Sequence, residues 1–475
     1  MNDHTARILI PAPASIRLLG SRLPLKNLVG FYVDRALEAV VPELERVFRT
    51  LGLSLRPLPE KEAQIVFKSG KFPAESWRMN ISERGVLAEA GDPAGGRCAA
   101  GALAQMLFAA AIAGNSSAAL DGAEIDDSPR FPWRGFLLDS ARHFQDAGMI
   151  RQFLRILSWF RINTFHWHLT DGQGWRFPLA SAGRMDGHGK WSDGQYTVEE
   201  LRDVAAYAKT LGIRIVPEVD VPGHSAGFLA RYPEYACDRD VPGNEWCIGN
   251  PESLEFLKRT FAELMEIFPD SPVIHIGGDE AATAGWEKCP RCRAAMEAGG
   301  FPTMRELEND FMFKLSRFIV ENGRTPMIWG TCSGQTYPAD TIIQAWLDIR
   351  EPLKAASHGN KIVYSVHNSL YFDYPANLSE PWETWMFELS ERGVYMTDPY
   401  IIWPEKVKDA ILGTEACLWT ETVPQHRIIA KLFPRIFAYS ECAWSMPEKK
   451  SYPDLRRREE LLDAAGFTDF LKERP

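Results

Sequence analysis

The chain has 475 residues, 45% of them hydrophobic and 24% charged, and a formal net charge of -10. That length points to two or three domains rather than one, and the composition is that of a globular chain with a large core. The acidic balance excludes an extended basic surface for nucleic acid and leaves neutral ligands such as sugars open.

Residues 1–128 read as a small α+β domain. Strand-like runs fall at 8–10, 64–67 and 86–89. Leu37, Val40, Val41, Leu44, Val47 and Phe48 recur at helical spacing over 34–51. An Ala-rich run at 98–113 forms a second helix, shorter than the roughly 20 residues a bilayer requires and interrupted by Gly101 and Gln105, so no membrane association is expected. The first residues lack the basic start, long apolar run and cleavage site of a secretory signal, and a cytoplasmic location is expected. The acidic stretch 121–129, with Pro129 and Pro132 at its end, reads as a connector.

Residues 129–475 change texture. Short β-like runs at 135–139, 164–170, 213–219, 273–277, 327–329, 342–346, 362–366 and 411–418 alternate with helical patterns. The clearest helices are 146–160, 197–211, 252–268, 304–322 and 426–442, while 350–410 shows no clear period. Strand–helix alternation implies a parallel sheet, and eight units predict an α/β fold, a (β/α)8 barrel with a C-terminal helical segment. Barrel enzymes carry their chemistry where strands end. Polar clusters fall at those positions: Asp139 to Arg142, Asp171, Glu218 to His224, Asp279-Glu280, Trp329, Trp346, Tyr371 to Asp373, and Trp419 to Glu421.

Among these, His275-Ile-Gly-Gly-Asp279-Glu280 is the most informative. Side chains alternate along a strand, so Asp279 and Glu280 share a pocket only if the strand ends before them, and the two glycines leave room for a ligand beside the backbone. Crowded carboxylates repel, which raises the pKa of one and makes it a proton donor near neutrality. Trp329, Trp346 and Trp419, three of 15 tryptophans, each end a predicted strand and suggest an aromatic-walled sugar pocket.

Two rival readings remain at this level. His166 and His168 form an H-x-H on one strand, as in metal-dependent barrel hydrolases. The eighth strand, however, offers Glu415 and Glu421 with no Asp, so both imidazoles are read as hydrogen-bonded within the barrel wall. An inert sugar-binding barrel is the second rival, and it should have lost a carboxylate. Cys289 and Cys292 form a C-P-x-C, half of a zinc site, but no second C-x-x-C or H-x-H lies at finger spacing. Cys237 and Cys247 flank a Pro/Gly-containing loop and are expected to be reduced in a cytosolic setting. No metal and no cofactor are expected.

The ordered motifs resemble glycoside hydrolase family 20, the β-N-acetylhexosaminidases. Pro11-Ala-Pro resembles the opening of that family's N-terminal domain. Arg134-Gly-Phe-Leu-Leu-Asp139-Ser-Ala-Arg142, His166-Trp-His-Leu-Thr-Asp171, Glu218-Val-Asp220-Val-Pro-Gly-His224, His275-Ile-Gly-Gly-Asp279-Glu280 and Glu415-Ala-Cys-Leu-Trp419-Thr-Glu421 follow in the family's order. The resemblance implies substrate-assisted retention, an exception to the two-carboxylate scheme. Glu280 would then be the general acid and base, and Asp279 would orient the 2-acetamido group that attacks C1. Tyr371 would hydrogen-bond the attacking carbonyl, and Trp329, Trp346 and Trp419 would enclose the ring. Arg142, Glu421 and Asp373 would bind hydroxyls, while Asp171, Asp220 and His224 would form a supporting network around Glu280. The implied partners are oligosaccharides or glycoconjugates carrying terminal N-acetylhexosamine. The loop 374–410 matches no family pattern.

Overall fold

A computed structural model describes residues 5–112, 118–180, 194–330, 337–347, 350–377, 379–401 and 403–474. Eight parallel strands close into a barrel: β1 (Trp133–Asp139), β2 (Thr164–His168), β3 (Arg214–Val221), β4 (Val273–Gly277), β5 (Thr325–Trp329), β6 (Ile342–Ala345), β7 (Lys361–Tyr364) and β8 (Ile411–Leu418). Each lies where the sequence alternation places a strand. Closure comes from β8 pairing in parallel with β1, with Glu415 opposite Gly135. A Cβ at Gly135 would sit 2.2 Å from Glu415 Oε2, so glycine there admits a charged side chain to the barrel interior. β1, β2 and β4 are buried along their whole lengths, as strands between a filled interior and an outer helical ring must be.

The outer helices start at caps the sequence supplies. Val198–Thr210 opens on a capping box between Thr197 and Glu200, and Asn250 and Thr303 cap Pro251–Ile267 and Met304–Glu321. The stretch 350–410 lacks a period because its helices are short: Arg350–Ser357, His367–Leu370 and Glu391–Met396. The single helix expected over 426–442 is instead Ile428–Leu432 and Arg435–Trp444. Pro434 separates them, since it lacks an N–H and its ring obstructs the preceding turn.

The N-terminal residues form a seven-stranded mixed sheet. The expected strand at 8–10 is absent. Gln105 takes the part of a neighbouring strand, accepting from Ile10 N at 2.8 Å and donating to Ile10 O at 2.7 Å. The acidic connector is also corrected: Ala119–Asp127 is a strand paired on both sides, with Ser15–Pro24 and Trp77–Ser82. Its acidic residues face arginines across the sheet, Asp126 accepting from Arg78 Nε at 2.6 Å and Glu124 pairing with Arg17. Opposed charges of this kind stabilise a sheet face, and the sequence displays only one half of each pair. The Ala-rich helix, Pro93–Ala111, begins at an Asp92 cap and is buried almost all round, with Gly101 facing Trp159 of the barrel helix Ala147–Trp159. Among the described residues no helix is long and apolar enough to cross a membrane.

Sheet and barrel are tied at Asp127. Its Oδ1 accepts from Ala14 N at 3.0 Å and from Trp444 Nε1 at 3.0 Å, and its Oδ2 pairs with Arg161, whose guanidinium lies 4.6 Å from the Trp444 ring. Both charges are buried. Removing one partner of a buried pair leaves the other uncompensated, at a cost of about 3–5 kcal/mol. Asp127→Ala should therefore lower the urea unfolding midpoint by an equivalent amount, and an unchanged midpoint would show that this junction does not hold the two parts together.

Candidate active site

At the C-terminal end of the barrel a cavity of about 450 Å³ is lined by Arg142, His224, Asp279, Glu280, Trp346, Tyr371, Asp373, Tyr374, Trp385, Trp419 and Glu421. Nine of these are residues the sequence singles out. Tyr374 and Trp385 are additions from the unpatterned loop, where Trp385 stands exposed. The clustered aromatics of Trp382-Glu-Thr-Trp385-Met-Phe387 were the available signal.

The backbone at β4 delivers the two carboxylates. β4 stops at Gly277, and φ is +72° there, +106° at Gly278 and +51° at Glu280. This left-handed run breaks the alternation, so adjacent residues reach one cavity. The glycines serve a different purpose from the one expected. A Cβ on Gly277 would lie 1.9 Å from Asp220 Oδ1, so the missing side chain admits a second protein carboxyl rather than a ligand.

Behind the cavity runs a chain of alternating charges. Asp171 Oδ2 receives Arg142 Nη2 at 2.6 Å, His168 Nε2 at 3.2 Å and His224 Nδ1 at 2.8 Å. His168 continues to Glu218, which also takes His275 Nδ1 at 2.9 Å and Trp329 Nε1 at 2.8 Å. His166 bridges Glu218 at 3.1 Å and Glu415 at 2.7 Å, and Trp133 and Gln344 donate to Glu415 at 3.0 Å each. Both members of the H-x-H pair are thus held between carboxylates in the barrel interior. Trp329, expected to enclose the ring, lies behind the cavity instead, and Asp171 lies there too. Asp171 positions Arg142 and His224, and Trp329 backs Trp419 and Trp346 with ring centroids 5.7 and 6.5 Å away.

Charge state follows from these contacts. Burial alone would raise Asp171 and Glu218, but Arg142 and His224 outweigh it at Asp171, and His168, His275 and His166 outweigh it at Glu218. Both are held well below the usual carboxylate range. Burial opposes charge on His166, yet Glu415 and Glu218 raise it to about 9. Asp220 and Asp279 gain less cationic support. Burial pushes Asp279 to about 6, against the pull of His224, and pushes Asp220 well up, reinforced by Asp279. Glu280 is the reverse of the sequence expectation. Its side chain is 59% exposed and 3.4 Å from His224 Nε2, and that hydrogen bond lowers its pKa. The raised member of the pair is Asp279.

Several polar atoms point at the cavity without a partner among the described residues: Asp279 Oδ1, Trp346 Nε1 and Asp373 Oδ1 are all buried. Tyr371 is placed by pairing with Cys417 of β8, and Phe372 N donates to Cys417 O at 2.6 Å.

Residues 131–447 match the model for the catalytic domain of glycosyl hydrolase family 20, and residues 6–128 match that family's domain 2. The chain belongs to glycosyl hydrolase family 20. It is a glycoside hydrolase whose relatives are β-hexosaminidases. The β-hexosaminidase of Akkermansia muciniphila is 33% identical over 367 residues, covering 72% of this chain and 74% of that protein. The Vibrio furnissii β-hexosaminidase is 30% identical, covering 66% of this chain and 57% of that one. The crystal structure of an exo β-N-acetylglucosaminidase from Vibrio harveyi, in complex with N-acetylglucosamine, superposes with a TM-score of 0.89 at 26% identity, covering 99% of this chain and 78% of that one. A mutant Streptomyces plicatus β-hexosaminidase in complex with GlcNAc gives 0.86 at 25% identity, covering 98% and 95%. Glu218 carries no role in the sequence reading, although the motif containing it is plain. Only the fold reveals that one carboxylate serves three histidines.

Proposed function

We propose that this family 20 enzyme is an exo-acting, retaining β-N-acetylhexosaminidase that removes terminal non-reducing β-GlcNAc or β-GalNAc with the substrate's own acetamide as nucleophile. The observation that carries this reading is the buried Asp279 carboxyl, one oxygen without a partner among the described residues, beside Glu280 in an aromatic-walled cavity. An ordinary retaining nucleophile must be ionised and aimed at C1. Asp279 instead suits a hydrogen bond from the acetamide N–H, and ionising it stabilises the positive charge that develops there.

In this reading the acetamide carbonyl oxygen attacks C1 as the C1–O bond to the leaving group breaks. Glu280 transfers its proton to the departing oxygen, giving an oxazolinium ion. Water then attacks C1 while Glu280 takes its proton, the C1–O bond to the acetamide oxygen breaks to restore the acetamide, and the sugar leaves with its configuration retained. The tethered nucleophile supplies the proximity that a bimolecular attack lacks. Tyr371 would steady the carbonyl, Trp346 and Trp419 the ring, and Arg142, Asp373 and Glu421 the hydroxyls of a terminal residue. Tyr374 and Trp385 extend the wall toward the leaving group.

Hydrolysis of matched chromogenic β-GlcNAc, β-GalNAc and β-glucose substrates tests this directly. The two acetamido sugars should turn over and the glucoside should not, and equal cleavage of all three would exclude acetamide participation. Glu280→Gln should lose roughly 10²–10⁴-fold in kcat/KM on alkyl glycosides and far less on nitrophenyl ones, whose leaving group needs no proton. Equal losses on both would remove Glu280 from the acid role.

The pH dependence has a sign. In the free enzyme the pair holds a proton on Asp279 below about pH 6, and a bound sugar would shift it to Glu280 by excluding water there. The competent free enzyme therefore carries one proton on the pair, and kcat/KM, which reports the free enzyme, should fall as pH rises through about 6. kcat should hold to higher pH. A kcat/KM profile flat across neutrality would contradict the shared proton.

A further inference from the structure

We propose that Cys237, Cys247, Cys289 and Cys292 form a tetrathiolate site for one structural zinc ion, separate from the catalytic cavity. The sequence shows half of it as a C-P-x-C, and the other half lacks finger spacing because Cys237 and Cys247 are brought together by a loop. Ala236 bridges Trp246 in antiparallel fashion, and Cys247 N donates to Tyr235 O at 2.8 Å, which sets the two following thiols side by side. Cys289 is the residue before the helix Pro290–Gly299 and Cys292 lies in its first turn, so both thiols face the same side.

The four sulfurs converge. Cys237–Cys292, Cys247–Cys289 and Cys247–Cys292 are each 3.7 Å apart, and all four lie within 4.8 Å of one another. A disulfide has sulfurs about 2.05 Å apart, and none of the four is in one. A tetrahedron with zinc–sulfur bonds of about 2.3 Å has an edge of about 3.8 Å, which is the spacing seen. A polynuclear iron–sulfur cluster would hold the thiolates further apart, and a closed four-sulfur shell leaves no open position for catalysis. Gly249 is fitted to the same end. A Cβ there would lie 2.4 Å from Cys292 Cα and 2.5 Å from Arg291 C, so only glycine lets the loop rest on the helix start. Three of the four cysteines are buried, which shields the metal from competing water.

The site joins the two loops that carry the catalytic face. Cys247 follows Trp246, which donates to Pro222 O and Ser225 Oγ at 2.8 Å each on either side of His224, and accepts from Trp286 Nε1 at 2.8 Å. Cys289 and Cys292 follow the loop that begins at Asp279-Glu280. The ion would therefore fix the distance between His224 and Glu280 without touching substrate.

Metal analysis of the purified full-length chain tests the proposal. About one zinc per chain should survive dialysis against chelator and be released by an organomercurial, as read by a chromogenic chelator. Protein grown in cobalt should show the visible d–d bands of a tetrahedral tetrathiolate. A Cys289→Ser, Cys292→Ser variant should lose the metal. Because that variant could fail to fold, mercurial release from the unaltered protein stands as the independent measure. Zinc-free protein with four free thiols at these positions, two disulfides among them, or a coloured iron centre would each overturn the assignment. None of these readouts depends on which sugar the enzyme cleaves.

Discussion

One buried carboxylate, Asp171, organises the catalytic face. It is reached by Arg142, His168 and His224 within 3.2 Å, and each of these leads elsewhere: Arg142 to Glu421 at 3.8 Å, His168 to Glu218, and His224 to Glu280. A charge in a dry interior is costly unless paired and hydrogen-bonded. Alternation of sign along the chain meets that condition. The same arithmetic leaves Asp220 and Asp279 short of cations, and burial pushes both up, as it does Asp373 and Glu421. The network thereby divides the site's carboxyls into permanently ionised ones, which hold shape, and ones that can exchange a proton.

The barrel supplies the second constraint. Parallel strands end together on one face, so residues distant in sequence, such as Arg142 and Glu421, meet there. What refines their aim is local backbone strain: left-handed φ at His224 and Glu280, both +50° or +51°, turns the two side chains toward each other. Such conformations persist only where the surroundings over-determine them. Trp246, Ser225 and Pro222 provide that on one side, and the thiol cluster lies one residue further along the same loop.

The site's aromatic wall is graded by depth. Trp329 is almost wholly buried and donates to Glu218, so it couples the charge network to the wall. Trp419 stands in front of it, 5.3 Å from the Arg142 guanidinium, and Trp385 is open to solvent.

Much of this was legible in the chain alone. The eight-strand alternation is legible because a fully buried strand and an amphipathic helix impose different periods, and the strand-end clusters are legible because barrel chemistry is confined to strand ends. Asp279 and Glu280 could be named together because two glycines and the end of an apolar run precede them. The tertiary structure decided what depends on partners far away in sequence. The segment 121–129 resembles a connector until Arg17 and Arg78 are set across from its acids. Trp329 resembles a ligand contact until depth places it behind the cavity. Cys237 and Cys247 resemble an unremarkable pair until a helix start brings two more thiols beside them. Within the Asp279–Glu280 pair, burial pushes Asp279 up while the hydrogen bond with His224 holds Glu280 down. Sequence determines which groups exist and on which strand end they fall. Burial and through-space pairing, which only the folded chain fixes, determine their charge.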